Sequence, residues 1–224
     1  MPANDTRIVG CITDWQLWQQ AVDGTLPLPC DVIELRVDAL PPEVSYDDVL
    51  ARPSPKPLLV TVRDAAEGGV REMPYVLRSA WALKLLPMAT WLDWELVNLE
   101  KAPAMAQLVH ASGVQLVASF HDFNATPALD DLLAKERRAR ELGADIAKFA
   151  FRLNSEQDMQ VGLDLLSRAT GPVAVMGMGP QAAQSRLLYA RQGSRLVYGY
   201  LGQTPAAPGQ TSAEFLQAHL REGV

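Results

Sequence analysis

Asp145–Phe151 reads DIAKFAF, apolar on both sides of a potential strand, with one lysine, Lys148, in its middle. A strand without polar alternation is one buried on both faces, as in parallel sheets covered by helices. An ammonium group is costly to hide in such a place, so Lys148 needs a reason to be there. Reading outward, the chain holds seven more runs of this kind: RIVGCI (7–12), DVIELRVD (31–38), PLLVTVR (57–63), TWLDWEL (90–96), VQLVASFH (114–121), PVAVMGM (172–178) and LVYGYL (196–201). All are short and rich in Val, Ile, Leu and aromatic residues, as strands are.

Between them lie segments with helical spacing, such as YVLRSAWALKLL (75–86), PALDDLLAKERRARELG (127–143) and SEQDMQVGLDLLSRA (155–169). Several open on Pro or Ser and close on Gly, as helices do. Strand and helix therefore alternate eight times, which implies parallel strands joined by right-handed crossovers. Eight units fit an α/β fold of the closed (β/α)₈ TIM barrel type better than an open sheet. With 224 residues, 48% of them hydrophobic, the expectation is one barrel domain over residues 1–224.

A formal net charge of −6 argues against nucleic acid or an anionic membrane as the main partner. Cys11 and Cys30 are too few, and too far in sequence from His110, His121 and His219, to form a zinc-ligand pattern. They read as reduced core residues. The start, MPANDTR, lacks a basic segment followed by an apolar one, and no apolar run approaches the ~20 residues that span a bilayer. A cytoplasmic protein is expected.

Side chains two apart on a strand share a face. In 31–38 this separates Ile33, Leu35 and Val37 from Glu34, Arg36 and Asp38. With the apolar set against the helices, the charged set faces the lumen. The same rule sends Leu59, Thr61 and Arg63, then Trp91, Asp93 and Glu95, then Val117, Ser119 and His121, and finally Ile146, Lys148 and Ala150 inward. Several lie at strand C-terminal ends, where barrel enzymes keep their sites. Singly, each has an ordinary explanation: Glu34 with Arg36 and Glu95 with Arg63 as structural ion pairs, His121 as a satisfied core histidine, Met176 and Met178 as core. His110 at a helix end and His219 on the last helix receive no function.

Together they suggest chemistry. A partly desolvated lysine among cations, here Arg36 and Arg63, loses affinity for its proton and can attack a carbonyl to form a Schiff base. His121 supplies a proton acceptor and donor. Gly68 and Gly69 would fold the loop after the third strand over the mouth and bring Glu67 to orient the imidazole. Arg186 is a forked donor suited to a carboxylate, and Gln210 lies on a Pro-Gly loop able to close as a lid.

The pieces ELRVD (34–38), TVRDAAEGG (61–69), DWEL (93–96), SFHDF (119–123), ADIAKFA (144–150), SR (185–186) and APGQ (207–210) occur in an order and at a spacing that resembles the type I 3-dehydroquinate dehydratases of the shikimate pathway. The resemblance implies a homodimeric barrel, free of metal and organic cofactor, that converts 3-dehydroquinate to 3-dehydroshikimate. It implies Lys148 as the imine-forming residue, His121 as the proton-transfer group and Glu67 as its acidic partner. Glu34, Arg36 and Arg63 then hold the ring and its hydroxyls, and Arg186 and Gln210 the carboxylate and lid. One departure is Ala206, where many members carry a serine; Thr204 or Gln203 are candidates to replace that hydroxyl. Two other readings fit the same residues: an imine-forming aldolase on a sugar phosphate, and a barrel that binds a ring carboxylate without turning it over.

Overall fold

Each of the eight apolar runs forms a strand, and the strands are β1 (Arg7–Ile12), β2 (Val32–Arg36), β3 (Leu58–Thr61), β4 (Trp91–Glu95), β5 (Gln115–Asp122), β6 (Ile146–Arg152), β7 (Val173–Met178) and β8 (Leu196–Tyr200). The computed structural model of the chain describes residues 6–205 and 209–221. All seven strand pairings are parallel, in the order β7-β6-β5-β4-β3-β2-β1-β8. The remaining gap, between β7 and β8, is nearly closed without a ladder. There Arg195 N donates to Val173 O at 2.9 Å, and Val175 N donates to the buried Ser194 Oγ at 2.9 Å.

The helices α1 (Trp15–Val22), α2 (Tyr46–Leu50), α3 (Tyr75–Leu85), α4 (Leu96–Lys101), α5 (Ala104–Ala111), α6 (Leu129–Glu141), α7 (Glu156–Arg168), α8 (Ala182–Arg191) and α9 (Ala213–Arg221) wrap the barrel. Their starts follow local chemistry. Asp14 caps α1, while Ser45 with Asp48, and Ser155 with Asp158, form capping boxes on α2 and α7. None of the described helices is long and apolar enough to cross a membrane.

The two strand faces build two separate cores. Ile33, Leu35, Val60, Trp94, Ala147 and Phe149 pack outward against helix residues such as Trp18, Trp81, Leu132 and Leu165. Val9, Val32, Leu59, Val117, Ile146 and Leu196 meet inside the barrel. This inner apolar group forms a plug on which the charged residues rest, one pleat nearer the C-terminal mouth. The second strand is shorter than the alternation suggests: it ends at Arg36, and Val37–Ala39 turn into a 3₁₀ helix. Asp38 holds the bend, since its carboxylate accepts hydrogen bonds from Arg63 N at 3.1 Å and Val70 N at 3.0 Å.

Candidate active site

The register sets the heights of the inward groups. Arg36 aligns with Thr61, Thr61 with Asp93, Glu95 with Ser119, and Ser119 with Lys148. Four adjacent strands, β3 to β6, thus bring Arg63, Asp93, Glu95, Ser119 and Lys148 within reach of one another. Lys148 Nζ lies 2.8 Å from Asp93 Oδ2, and Arg63 Nη2 lies 2.8 Å from Asp93 Oδ1. Ser119 Oγ donates to Asp93 Oδ1 at 2.6 Å and accepts from Arg63 Nη1 at 2.6 Å. Burial opposes the charge of Asp93, yet Arg63 and Lys148 hold its carboxyl well below the usual range.

Two expectations about partners change. Lys148 does not sit among unopposed cations: Arg63 is held by Asp93 and Glu95, Arg36 by Asp38, and the lysine itself by Asp93. Nor do Glu34 and Arg36 pair. The Arg36 fork spans Asp38, with Nε to Oδ1 at 2.9 Å and Nη2 to Oδ2 at 2.7 Å, whereas Glu34 accepts from Thr61 Oγ1 at 2.8 Å. Successive residues on a strand face share a side but sit at different heights, and the bend after Arg36 brings Asp38 back to its fork. The expected pairing of Arg63 with Glu95 is present at 3.1 Å.

Behind Glu95 stands Arg78 of α3, 1% exposed, which pairs with Glu95 and, at 2.6 Å, with Asp64. It lies over the Trp94 ring at 4.9 Å, and its Nε donates to Val62 O at 3.0 Å. Arg78 shares the helical spacing of Trp81, Ala82 and Leu85, which also face the core. That spacing was the available signal for a residue the sequence reading passed over.

The loop after β3 delivers Glu67 as expected. Residues 65–67 make a 3₁₀ turn closed by Gly68 at φ 86°, a left-handed conformation in which a Cβ would also meet Phe123 Cζ at 2.5 Å. Arg36 Nη2 donates to Gly68 O at 3.2 Å and ties this turn to β2. Glu67 Oε2 lies 2.8 Å from His121 Nδ1 and accepts the His121 amide at 3.1 Å. Two donors on one oxygen are best served by an ionised carboxylate, with the imidazole proton on Nδ1 and a lone pair on Nε2. Burial pushes the Glu67 carboxyl up to about 7, and burial with the charges of Arg63 and Lys148 holds the imidazole well below its ordinary value.

On the far wall, Arg186 of α8 is 3% exposed; its Nε donates to Tyr198 O at 3.1 Å and its Nη1 to Gly209 O at 3.4 Å. No carboxylate among the described residues pairs with it, and burial pulls the guanidinium down to about 10. Gln210 Nε2 donates to Cys11 Sγ at 3.3 Å. Cys11 and Cys30 are buried free thiols, and Cys11 lines the lumen rather than filling the outer core. One cavity is lined by Lys148, His121, Glu67, Glu34, Arg36, Arg63, Arg186 and Gln210, so all eight predicted site residues converge. Met176, Met178 and Tyr198 are among its other walls. Gln203 and Thr204 instead border a separate exposed groove, and Ala206 lies outside the described residues.

Residues 18–222 match the family model described as type I 3-dehydroquinase. The chain belongs to the type I 3-dehydroquinase family. It is 34% identical over 218 residues to a 3-dehydroquinate dehydratase from Klebsiella pneumoniae, a match covering 89% of this chain and 83% of the relative. Among solved structures, it resembles the type I 3-dehydroquinate dehydratase of Clostridium difficile, with a TM-score of 0.85, 26% identity, and coverage of 97% of this chain and 91% of that one. The 3-dehydroquinate dehydratase of Geobacillus kaustophilus aligns with a TM-score of 0.84 at 27% identity, over 96% of this chain and 90% of its own. The chain therefore carries its cluster of lysine, histidine and paired charges on the barrel of its relatives.

Proposed function

We propose that the chain dehydrates 3-dehydroquinate to 3-dehydroshikimate through an imine on Lys148. The observation that carries the proposal is the convergence of Lys148 and a carboxylate-backed His121 on one cavity. Neutral imidazole is the base available to take a proton in that cavity. The freed amine adds to the ring ketone, and the imidazolium returns its proton to the carbinolamine hydroxyl, which leaves as water to give a protonated imine on Lys148 and a neutral His121. Asp93, 2.8 Å from Nζ in the resting ion pair, then opposes the positive charge on the same nitrogen. The imine acidifies the neighbouring carbon, and His121 removes its proton. The resulting enamine expels the β-hydroxyl, which leaves as water with a proton from His121, and hydrolysis frees the product and Lys148. One molecule of water is lost overall.

Arg186 supports the reading as the group that binds the ring carboxylate. A buried guanidinium without a carboxylate partner among the described residues is a receptor for a planar anion. Glu34, Arg36 and Arg63 are assigned to the ring and its hydroxyls, and Gln210 to closing the last loop. On the family likeness we also assign the enzyme to the shikimate pathway, as a cytoplasmic homodimer of single barrels over residues 1–224 that uses no metal or organic cofactor.

Borohydride added with dehydroquinate should reduce the imine and leave the ring's mass on the peptide that contains Lys148. A tag on another peptide would defeat the assignment, and turnover of a phosphorylated aldol in place of dehydroquinate would favour the aldolase reading. The pH profile gives a second check. With the Glu67 carboxyl pushed up to about 7, protons bind it as pH falls through neutrality, and a protonated Glu67 donates to Nδ1 and moves the imidazole proton to Nε2. The base is then lost, so kcat/KM should rise with pH through about 7, and Glu67→Gln should abolish that limb. An acid limb unchanged in this variant would remove Glu67 from the role.

A further inference from the structure

Several buried polar atoms lack a partner among the described residues; of these, Tyr198 Oη is the one on a residue lining the cavity of Lys148. Tyr198 is 3% exposed and belongs to β8, where it faces inward opposite Val9. Its ring lies 4.2 Å from Lys148 Nζ, and its carbonyl receives Arg186 Nε at 3.1 Å. The residue therefore touches the amine through its ring and the anion receptor through its backbone, while its phenol makes no hydrogen bond with the described residues. Burying a hydroxyl without a partner is unfavourable, and phenylalanine would fill the same space without that penalty.

We propose that the Tyr198 hydroxyl is a substrate-binding donor, hydrogen-bonding an oxygen of the ring acid, and that it helps set which oxygenated rings the cavity accepts. The inference rests on the dehydratase reading above. Burial, followed by the charges of Glu34 and Asp93, holds the phenol well above its ordinary pKa, so the group stays a neutral donor across the working range. A site built around such a donor discriminates against a ring that lacks the matching oxygen, because the buried hydroxyl is then left unpaired.

The test is Tyr198→Phe, which keeps the ring over Lys148 and deletes only the oxygen. KM for dehydroquinate should rise about tenfold while kcat stays within about twofold, the pattern of lost uniform binding. Competitive ring carboxylates, each lacking one hydroxyl or carbonyl oxygen, provide the readout that a general packing change would not move. For the analogue missing the partner oxygen, wild type and variant should bind equally; for the others, the variant should bind about tenfold more weakly. Wild-type affinities across the same series test the proposal without any variant, since the analogue missing the partner oxygen of Tyr198 should bind about tenfold more weakly than the complete ring carboxylate. An unchanged KM, an equal loss on every analogue, or a wild type that binds every analogue as tightly as the complete ring carboxylate overturns the role of Tyr198. Wild-type enzyme inert toward dehydroquinate overturns the dehydratase reading itself, so the two failures are distinguishable.

Discussion

Lys148→Ala is expected to lower kcat on the order of 10⁴-fold or more, the scale of loss when a covalent nucleophile is removed. Dehydration without the imine would require proton abstraction beside an unactivated ketone, and no other lysine lines this cavity among the described residues. The substitution also leaves Asp93 with Arg63 and Ser119 alone, so folding should be checked by circular dichroism before activity is compared. Product is followed by the absorbance of its conjugated double bond, and borohydride should no longer place any mass on the 144–150 peptide. Turnover near the wild-type rate would refute the covalent route.

His121→Ala should cost about 10³-fold in kcat, within the range for removal of a general acid–base group. Its signature differs from that of the lysine variant. The amine and Arg186 remain in place, so ketone still adds to Lys148 slowly while the later proton removal has no base. Intact-mass analysis without borohydride should therefore find a fraction of the variant carrying the covalent ring, whereas Lys148→Ala carries none. Rapid turnover would assign proton transfer to another group, and a complete absence of adduct with substrate bound would place the need for His121 before imine formation.

The fold was readable because the chain repeats one physical statement eight times: a run buried on both faces, followed by a segment of helical period. The same alternation separated lumen from helix side for Glu34, Thr61, Asp93, Ser119, His121 and Lys148, because a two-residue period decides the face a strand residue occupies. It says nothing about height around the barrel. Height comes from register, which aligns Thr61 with Asp93 and Ser119 with Lys148, and from the bend that brings Asp38 to Arg36. For this reason the reading found the right group of charges, mismatched the Glu34–Arg36 pair and missed the carboxylate that holds Lys148. Arg78 escaped notice because charge on a helix usually marks the solvent face, and only its phase with Trp81 and Leu85 betrays the opposite. Tyr198 passed as one more apolar strand residue, since an unanswered hydroxyl becomes visible only once its surroundings are built.

Lys148, Asp93, Arg63, Glu95, Arg78 and Asp64 form an unbroken file of alternating sign from the lumen to the helix layer. For the inheritance of this protein, that file behaves like a sentence whose words must be edited two at a time. Neutralising one interior member strands its neighbour's charge in a dry place, while changing adjacent members together keeps the balance. Lineages that drift here are expected to do so by paired replacement, and a library of single substitutions would misjudge how far the machinery can be rewritten.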